Sequence, residues 1–533
     1  MKNLIQLVML AALFLSLVPS SPAIPQSGPA GAVIDQDLLD VTIPRLEALY
    51  SEHKYTVTQV TRWYLDRIAR YDPVYRAVLH VDGSGALAAA AAEDAAAEKG
   101  GAGFKRGALW GVPIVTKANT SVIGLVTSDG WQGYLFPGHE LIAPADATIV
   151  AKLRAAGVVI LGQTNMPDFA ASDTNISSAG GRTGNAYDSR FSPGGSSGGT
   201  VTAVTANFAV FGTGTDTSNS IRLPSSTSAV VGLLPTRGLV STTGIHPLDW
   251  LLDNTGPITR NVRDSAIVLD VIVGEDPKDF RTRGSASKAQ AGPYTKYLKA
   301  DALKGKRFGV PAFIVKAGGA DSLQPETRAL FMKAIDELRA AGATVVIDDS
   351  ILPDSFENLV SAVNTWPYIR EGMENFLRDF GPAEYHSAAE YQKATGLPFP
   401  EIINGVFGAV PAFQNDPGAE TNFWAPQRKA LAAYEQAFDR FRLDGMAYPA
   451  TQMPPPNETG PNGRRDGPHS RTGWANPIGV PAIVVPGGFY ANGLPFGLEL
   501  STRTWKDGDL LGWAFAYEQA TLHRKPPVLT TEH

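Results

Sequence analysis

Apolar positions repeat with two periods along this chain, and the alternation between them outlines a fold. "ATIVAKLRAAG", residues 147–157, spaces its apolar side chains three and four apart, which predicts an amphipathic helix. "VVILG" follows at once as a short continuous apolar run, which predicts a buried strand. The same helix-then-strand unit returns in "PETRALFMKAIDELRAAGATVVID", residues 325–348, with "KRFGVPAFIV", residues 306–315, read as a strand before it. "ALWGVPIVTK", residues 108–117, is a further strand that runs into Lys117. Upstream, Leu38 to Tyr71 reads as helical, and "GALAAAAAEDAAAEKG" reads as a solvent-facing helix stopped by Gly100-Gly101. Such alternation predicts an α/β architecture in which helices cover both faces of one sheet. No low-complexity linker interrupts it, so residues 24–533 read as one large domain. Residues 448–470, "YPATQMPPPNETGPNGRRDGPHS", carry too much Pro, Gly and Asn for regular structure. A segment of that kind either borders a site or is a mobile surface excursion.

The first residues depart from the pattern. Lys2, an apolar stretch from Val8 to Val18 and Ser21-Pro22-Ala23 together read as an export signal, residues 1–23, cleaved after Ala23. The stretch is shorter than the roughly 20 residues of a spanning helix, so no stable membrane anchor is expected after cleavage. The expected location is secreted or periplasmic. Composition then narrows the field. With 533 residues, 44% of them hydrophobic, the chain can bury a large core. Its 46 Lys+Arg against 52 Asp+Glu form no basic stripe, which argues against nucleic acid as a partner. The absence of cysteine excludes lipoprotein anchoring, disulfides and thiolate metal sites, and neither a metal nor a cofactor is expected.

Three short stretches carry candidate chemistry. Lys117 closes an apolar strand; it is either an ordinary lysine that reaches solvent or a buried amine whose pKa falls from about 10.4 by desolvation, leaving a neutral base. "SPGGSSGGT", residues 192–200, sets Ser196 and Ser197 between glycine pairs, which suits a tight turn or a close backbone approach. It also fits the G-x-S-x-G elbow, but the turn-like "NAYDSRFSP" stands where an elbow needs an apolar strand. No Gly-Lys-Ser/Thr follows, which argues against a phosphate loop. "GTGTDTSNSIRLPSS", residues 212–226, reads as a loop of small residues leaving the apolar run "NFAVFG". Its row of backbone N–H groups can form a hole for a developing oxyanion, with Asp216 and Arg222 as a structural ion pair that fixes it.

Taken in order, "GVPIVTK", "GGSSGG" and "GTDTSNSIR" resemble the signature of the amidase signature family. "LGQTNMPDFA", "GRTGNAYD", "VVGLLPTRGLVS", "DNTGPITRNVRDSAIVLDVIVG" and "NPIGVPAIVVPGGF" extend the likeness over most of the chain, most strongly between residues 105 and 275. The resemblance implies a large mixed central sheet and a Ser–Ser–Lys relay. In that relay Ser220 is the nucleophile, Ser196 the bridging serine across a cis Gly195–Ser196 peptide, and Lys117 the base. It also implies that the backbone N–H groups of Thr217, Ser218, Asn219 and Ser220 hold the oxyanion of a carboxamide substrate, small-molecule or peptide. One departure stands out: Ser218-Asn219 occupies a place where the family usually has Gly-Gly. Asn tolerates positive φ, so the loop is expected to keep its shape, with the added side chains bearing on substrate range. The implied activity is an exported serine hydrolase of C–N bonds. An ester or carbamate hydrolase with the same machinery, and a binding protein that has lost catalysis, are the alternatives. An exported chain would not meet aminoacyl-tRNA, which argues against the family's transamidation role. The acyl group, the amine and the oligomeric state are left open.

Overall fold

The computed structural model describes residues 29–400 and 412–532. The signal peptide read at residues 1–23 lies outside them. A helix, Pro29–Leu38, belongs to a separate N-terminal unit, and Asp40–His533 forms one compact unit. Among the described residues no helix is long and apolar enough to cross a membrane.

Thirteen strands are found in chain order among the described residues. They are β1 Val78–Val81, β2 Pro113–Lys117, β3 Val159–Thr164, β4 Ile176–Ser177, β5 Gly181–Arg182, β6 Phe211–Asp216 and β7 Val231–Leu234. Then follow β8 Asn254–Thr259, β9 Arg307–Val310, β10 Thr344–Ile347, β11 Gly445–Pro449, β12 Ala482–Phe489 and β13 Pro495–Ser501. Eleven of them make one sheet in the order β1-β3-β2-β6-β8-β7-β12-β13-β11-β9-β10, and β4 and β5 pair separately. The sheet is mixed. β2 lies parallel between β3 and β6, β9 lies parallel between β10 and β11, and the strands from β6 to β11 pair antiparallel. Every residue of β2, β3, β6, β7 and β8 is buried. Because successive side chains point to opposite faces, complete burial means that both faces are covered. Helices Gly83–Gly100, Val262–Ile272, Pro325–Ala340 and Asp507–Thr521 supply much of the cover, packing on β3, β8, β10 to β13 and β12.

Local expectations hold where periodicity is strong. Thr148–Ala155 is helical and leads into β3; Pro325–Ala340 is helical and leads into β10. The alanine-rich helix buries only Ala86 and Ala90 and ends at Gly101, whose φ is 51°. Two stretches differ. "KRFGVPAFIV" is a strand only to Val310; Pro311 has no N–H to give a neighbour, and Ala312–Val315 turns into a short helix. The small-residue stretch 212–226 is strand through Asp216 and helix from Arg222 to Ser226, so the loop proper is five residues, 217–221.

Helix Gly198–Thr205 is wholly buried and packs on β2 and β6, which sets the serine block between those strands. It can come this close because Gly199 has no side chain: an added Cβ would stand 2.2 Å from the Asn165 carbonyl oxygen and 2.6 Å from that of Ala77. Gly199→Ala is therefore expected to lower stability by about 1–3 kcal/mol, since two backbone segments would have to part. A fall in the urea midpoint without a change in slope is the measurement.

Candidate active site

β2 carries Lys117 into the interior, where its side chain is fully buried. That excludes the reading in which it reaches solvent. Three hydroxyls surround the amine: Nζ donates to Ser196 Oγ at 2.7 Å, to Thr215 Oγ1 at 2.9 Å and to Ser197 Oγ at 3.1 Å. Burial pushes its pKa down to about 7, against the pull of Asp129, Asp216 and Asp253. None of these carboxylates forms an ion pair with Nζ among the described residues.

The hydroxyls are not equivalent. Ser197 Oγ donates to the Thr215 carbonyl at 3.2 Å, and Thr215 Oγ1 also accepts from Asn119 Nδ2 at 3.1 Å. Ser196 Oγ has no hydrogen bond other than that with Lys117 among the described residues. The Gly195–Ser196 peptide is cis, as the resemblance implied. Gly195 is pressed against the turn before it: a Cβ there would lie 2.5 Å from the Thr174 carbonyl and 2.7 Å from that of Ser172.

The five-residue loop is pinned along its length. Thr217 Oγ1 donates to Asp253 Oδ1 at 2.5 Å, the Ser218 carbonyl accepts from Arg222 Nη2, and Asn219 Nδ2 donates to Asp173 Oδ2 at 3.4 Å. The Ser220 carbonyl accepts from the Ser197 N–H at 3.1 Å, which ties the loop to the serine block. Ser220 is thus brought beside Ser196 and Ser197 in the chain path, but no hydrogen bond joins the Ser196 and Ser220 hydroxyls. The N–H groups of Thr217, Ser218, Asn219 and Ser220 find no acceptor among the described residues.

The expectation that Asn219 uses its tolerance of positive φ is not met: neither Ser218 nor Asn219 is among the residues with positive φ. The loop bends without left-handed backbone because the side chains and carbonyl of the loop are held from outside. Ser218 is exposed and sits beside Gly473, where a Cβ would be 3.3 Å from its own. The irregular 448–470 segment also reaches the site, since Gly467 abuts Asp173.

Asp216 and Arg222 form the expected pair, both side chains fully buried, with Nε to Oδ2 at 3.1 Å. Arg222 goes further than the sequence suggests. Nη1 donates to Glu499 Oε1 at 2.6 Å and to the Thr472 carbonyl at 3.0 Å, and Nη2 donates to Asn476 Oδ1 at 3.0 Å. Burial works against the guanidinium's charge, but Asp216 and Glu499 outweigh it and hold its pKa up. Thr215, Asn119, Glu499 and Asn476 carry no signal of this role in the sequence. Strand periodicity marks β2 and β6, but only their pairing brings Thr215 beside Lys117.

The amidase family model matches residues 59–511. This chain belongs to the amidase family. Over 511 residues it is 31% identical to a glutamyl-tRNA(Gln) amidotransferase subunit of Acinetobacter baumannii, covering 93% of this chain and 99% of that one. The native peptide amidase of Stenotrophomonas maltophilia superposes with a TM-score of 0.77 at 31% identity, covering 92% and 98% of the two chains. A peptide amidase bound to the competitive inhibitor chymostatin gives 0.76 at 31% identity, covering 92% and 99%. The chain is an amide-hydrolysing enzyme of the amidase family, and its single large mixed sheet is that of the peptide amidases.

The Arg222 network makes a testable demand. Arg222→Ala would leave Asp216 and Glu499 buried without their cation, so a loss of about 3–5 kcal/mol in unfolding free energy is expected by chemical denaturation.

Proposed function

We propose that this amidase cleaves carboxamides through a relay from Ser220 to Ser196 to Lys117, with an acyl-enzyme intermediate. The observation that carries the reading is the 2.7 Å contact between Lys117 Nζ and Ser196 Oγ inside an enclosure without solvent. A neutral amine accepts the Ser196 proton, Ser196 takes that of Ser220, and Ser220 Oγ adds to the amide carbonyl. Ser196 suits the bridging role better than Ser197, whose hydroxyl hydrogen is already committed to the Thr215 carbonyl. The unaccepted N–H groups of Thr217, Ser218, Asn219 and Ser220 are the donors available to the oxyanion. The proton then returns through Ser196 to the departing nitrogen, the C–N bond breaks, and water enters by the same route in reverse to release the acid.

The substrate is a small-molecule or peptide carboxamide, the latter in keeping with the peptide amidases it is similar to. We further propose that residues 1–23 direct export to a secreted or periplasmic location, on the charge and apolar pattern of that segment. N-terminal sequencing of the protein recovered outside the cytoplasm would begin at Ile24 if that is right.

Two measurements test the relay. Ser220→Ala is expected to lower kcat/KM by roughly 10³-fold or more, with labelling by a fluorophosphonate lost, and Lys117→Ala to impair turnover strongly while the fold is retained. Full activity in either variant overturns the relay. The wild-type kcat/KM is expected to rise with pH through about 7 and then level off, because the amine serves as base only when unprotonated. A profile flat from pH 5 to 9 would exclude Lys117 as the base.

A further inference from the structure

Asp173 lies against the nucleophile loop without a cation of its own. Ser172 and Thr174 hold its turn, their hydroxyls 2.9 Å apart and the Thr174 N–H donating to Ser172 Oγ at 3.1 Å. The carbonyls of the same two residues face Gly195, so the turn is fixed directly on the Gly195–Ser196 peptide. Among the described residues, the Asp173 carboxylate accepts one long hydrogen bond, from Asn219 Nδ2 at 3.4 Å, and pairs with no lysine or arginine. His469 acts on it only through space.

Asn219 shows the complementary deficit. It is 5% exposed, and its Oδ1 is buried without a partner. Turning the amide over does not help, because it would set the oxygen against an ionised carboxylate. The shortage is local. Asp216 receives Arg222 and the Ile221 N–H, and Asp253 receives Thr217 Oγ1 and the N–H groups of Leu248 and Asp249. Beside Ser220, by contrast, two acceptors wait for donors, and one of them is an anion. A neutral N–H could satisfy Asn219 Oδ1 but would leave the carboxylate without a counter-charge.

An α-ammonium meets both needs. Its nitrogen stands about 2.5 Å from the carbonyl carbon of its own residue, so a carbonyl held at Ser220 brings it into the neighbourhood of the adjoining side chain. We propose that Asp173 and Asn219 Oδ1 form a subsite that selects amides whose acyl group bears a free α-ammonium, such as amino-acid amides, over N-acylated or deaminated analogues. This rests on Ser220 acting as the nucleophile of an amide hydrolase. Burial already pushes the Asp173 carboxyl above its usual pKa, and a bound ammonium would relieve that cost.

The test compares phenylalaninamide, N-acetylphenylalaninamide and 3-phenylpropanamide by ammonia release at pH 7, where the free α-amine is largely protonated. The wild type is expected to favour phenylalaninamide about tenfold or more in kcat/KM over both analogues. Asp173→Asn is expected to bring both ratios close to one. Each ratio is internal to one enzyme, so partial unfolding lowers all three rates together and leaves the ratio readable. Equal rates in the wild type, a preference for either analogue, or an unchanged ratio in Asp173→Asn overturns the proposal. If none of the three amides is cleaved while a fluorophosphonate still labels Ser220, this selectivity alone falls. If the label is lost as well, the nucleophile assignment falls with it.

Discussion

The contact between Lys117 Nζ and Ser196 Oγ depends on a condition that proteins rarely meet, an amine deep in the core with no carboxylate against it. A buried ammonium normally draws an anion to within ion-pair distance, and that anion keeps it charged. Here three acids stand in the surroundings, and each is engaged elsewhere. Asp216 is held by Arg222, Asp253 by Thr217 and two backbone N–H groups, and Asp129 lies 2.8 Å from His246 Nδ1. The amine is left with hydroxyls alone. Desolvation then dominates, and the pKa comes down to about 7. The same three acids set how far it falls, because their fields still favour the proton. Partnering the acids is therefore as much a part of the site as the lysine.

Keeping that arrangement rigid draws on distant parts of the chain. β2 and β6 bring Lys117 and Thr215 together, and the buried helix Gly198–Thr205 seats the serine block between them. Arg222 binds the loop to Glu499 in β13, to Asn476 and to the Thr472 carbonyl. An isolated half of the molecule would lack either the strands that deliver the lysine or the acceptors that fix Arg222. This is a physical reason for a chain of such length to fold as one large unit without a dividing linker.

What the sequence discloses follows from range. Residues 147–162 and 325–348 declare their helix and strand because periodicity is local, and Gly100-Gly101 stops a helix for reasons within a few residues. Lys117, Ser196 and Ser220 are legible because each sits in a short stretch of distinctive composition. Thr215 and Asn119 are not, because a threonine in a strand and an asparagine after a lysine mean nothing until β2 and β6 are known to pair. Pro311 is visible, yet the apolar run around it reads as strand through to Val315; the missing N–H outweighs the hydrophobicity. The backbone of Ser218-Asn219 escapes a local reading because the brace from Arg222 to the Ser218 carbonyl removes the need for left-handed φ.

That last point separates two jobs within five residues. Stabilising an oxyanion uses main-chain N–H groups, which any residue but proline supplies, so the identity of residues 218 and 219 is free of that duty once the backbone is held from outside. Glycines would leave the space beside the nucleophile empty. Ser218 and Asn219 fill it, one turned to solvent beside Gly473 and the other turned to Asp173. An asparagine there is under opposite demands at its two ends: its amide N–H is spent on a carboxylate and its oxygen is stranded. A buried acceptor without a donor costs roughly 1–3 kcal/mol, which a free enzyme bears and a bound substrate can remove. The difference between the empty and occupied states is then a source of selectivity. It falls on whatever the substrate places next to its carbonyl and leaves the chemistry at Lys117 untouched.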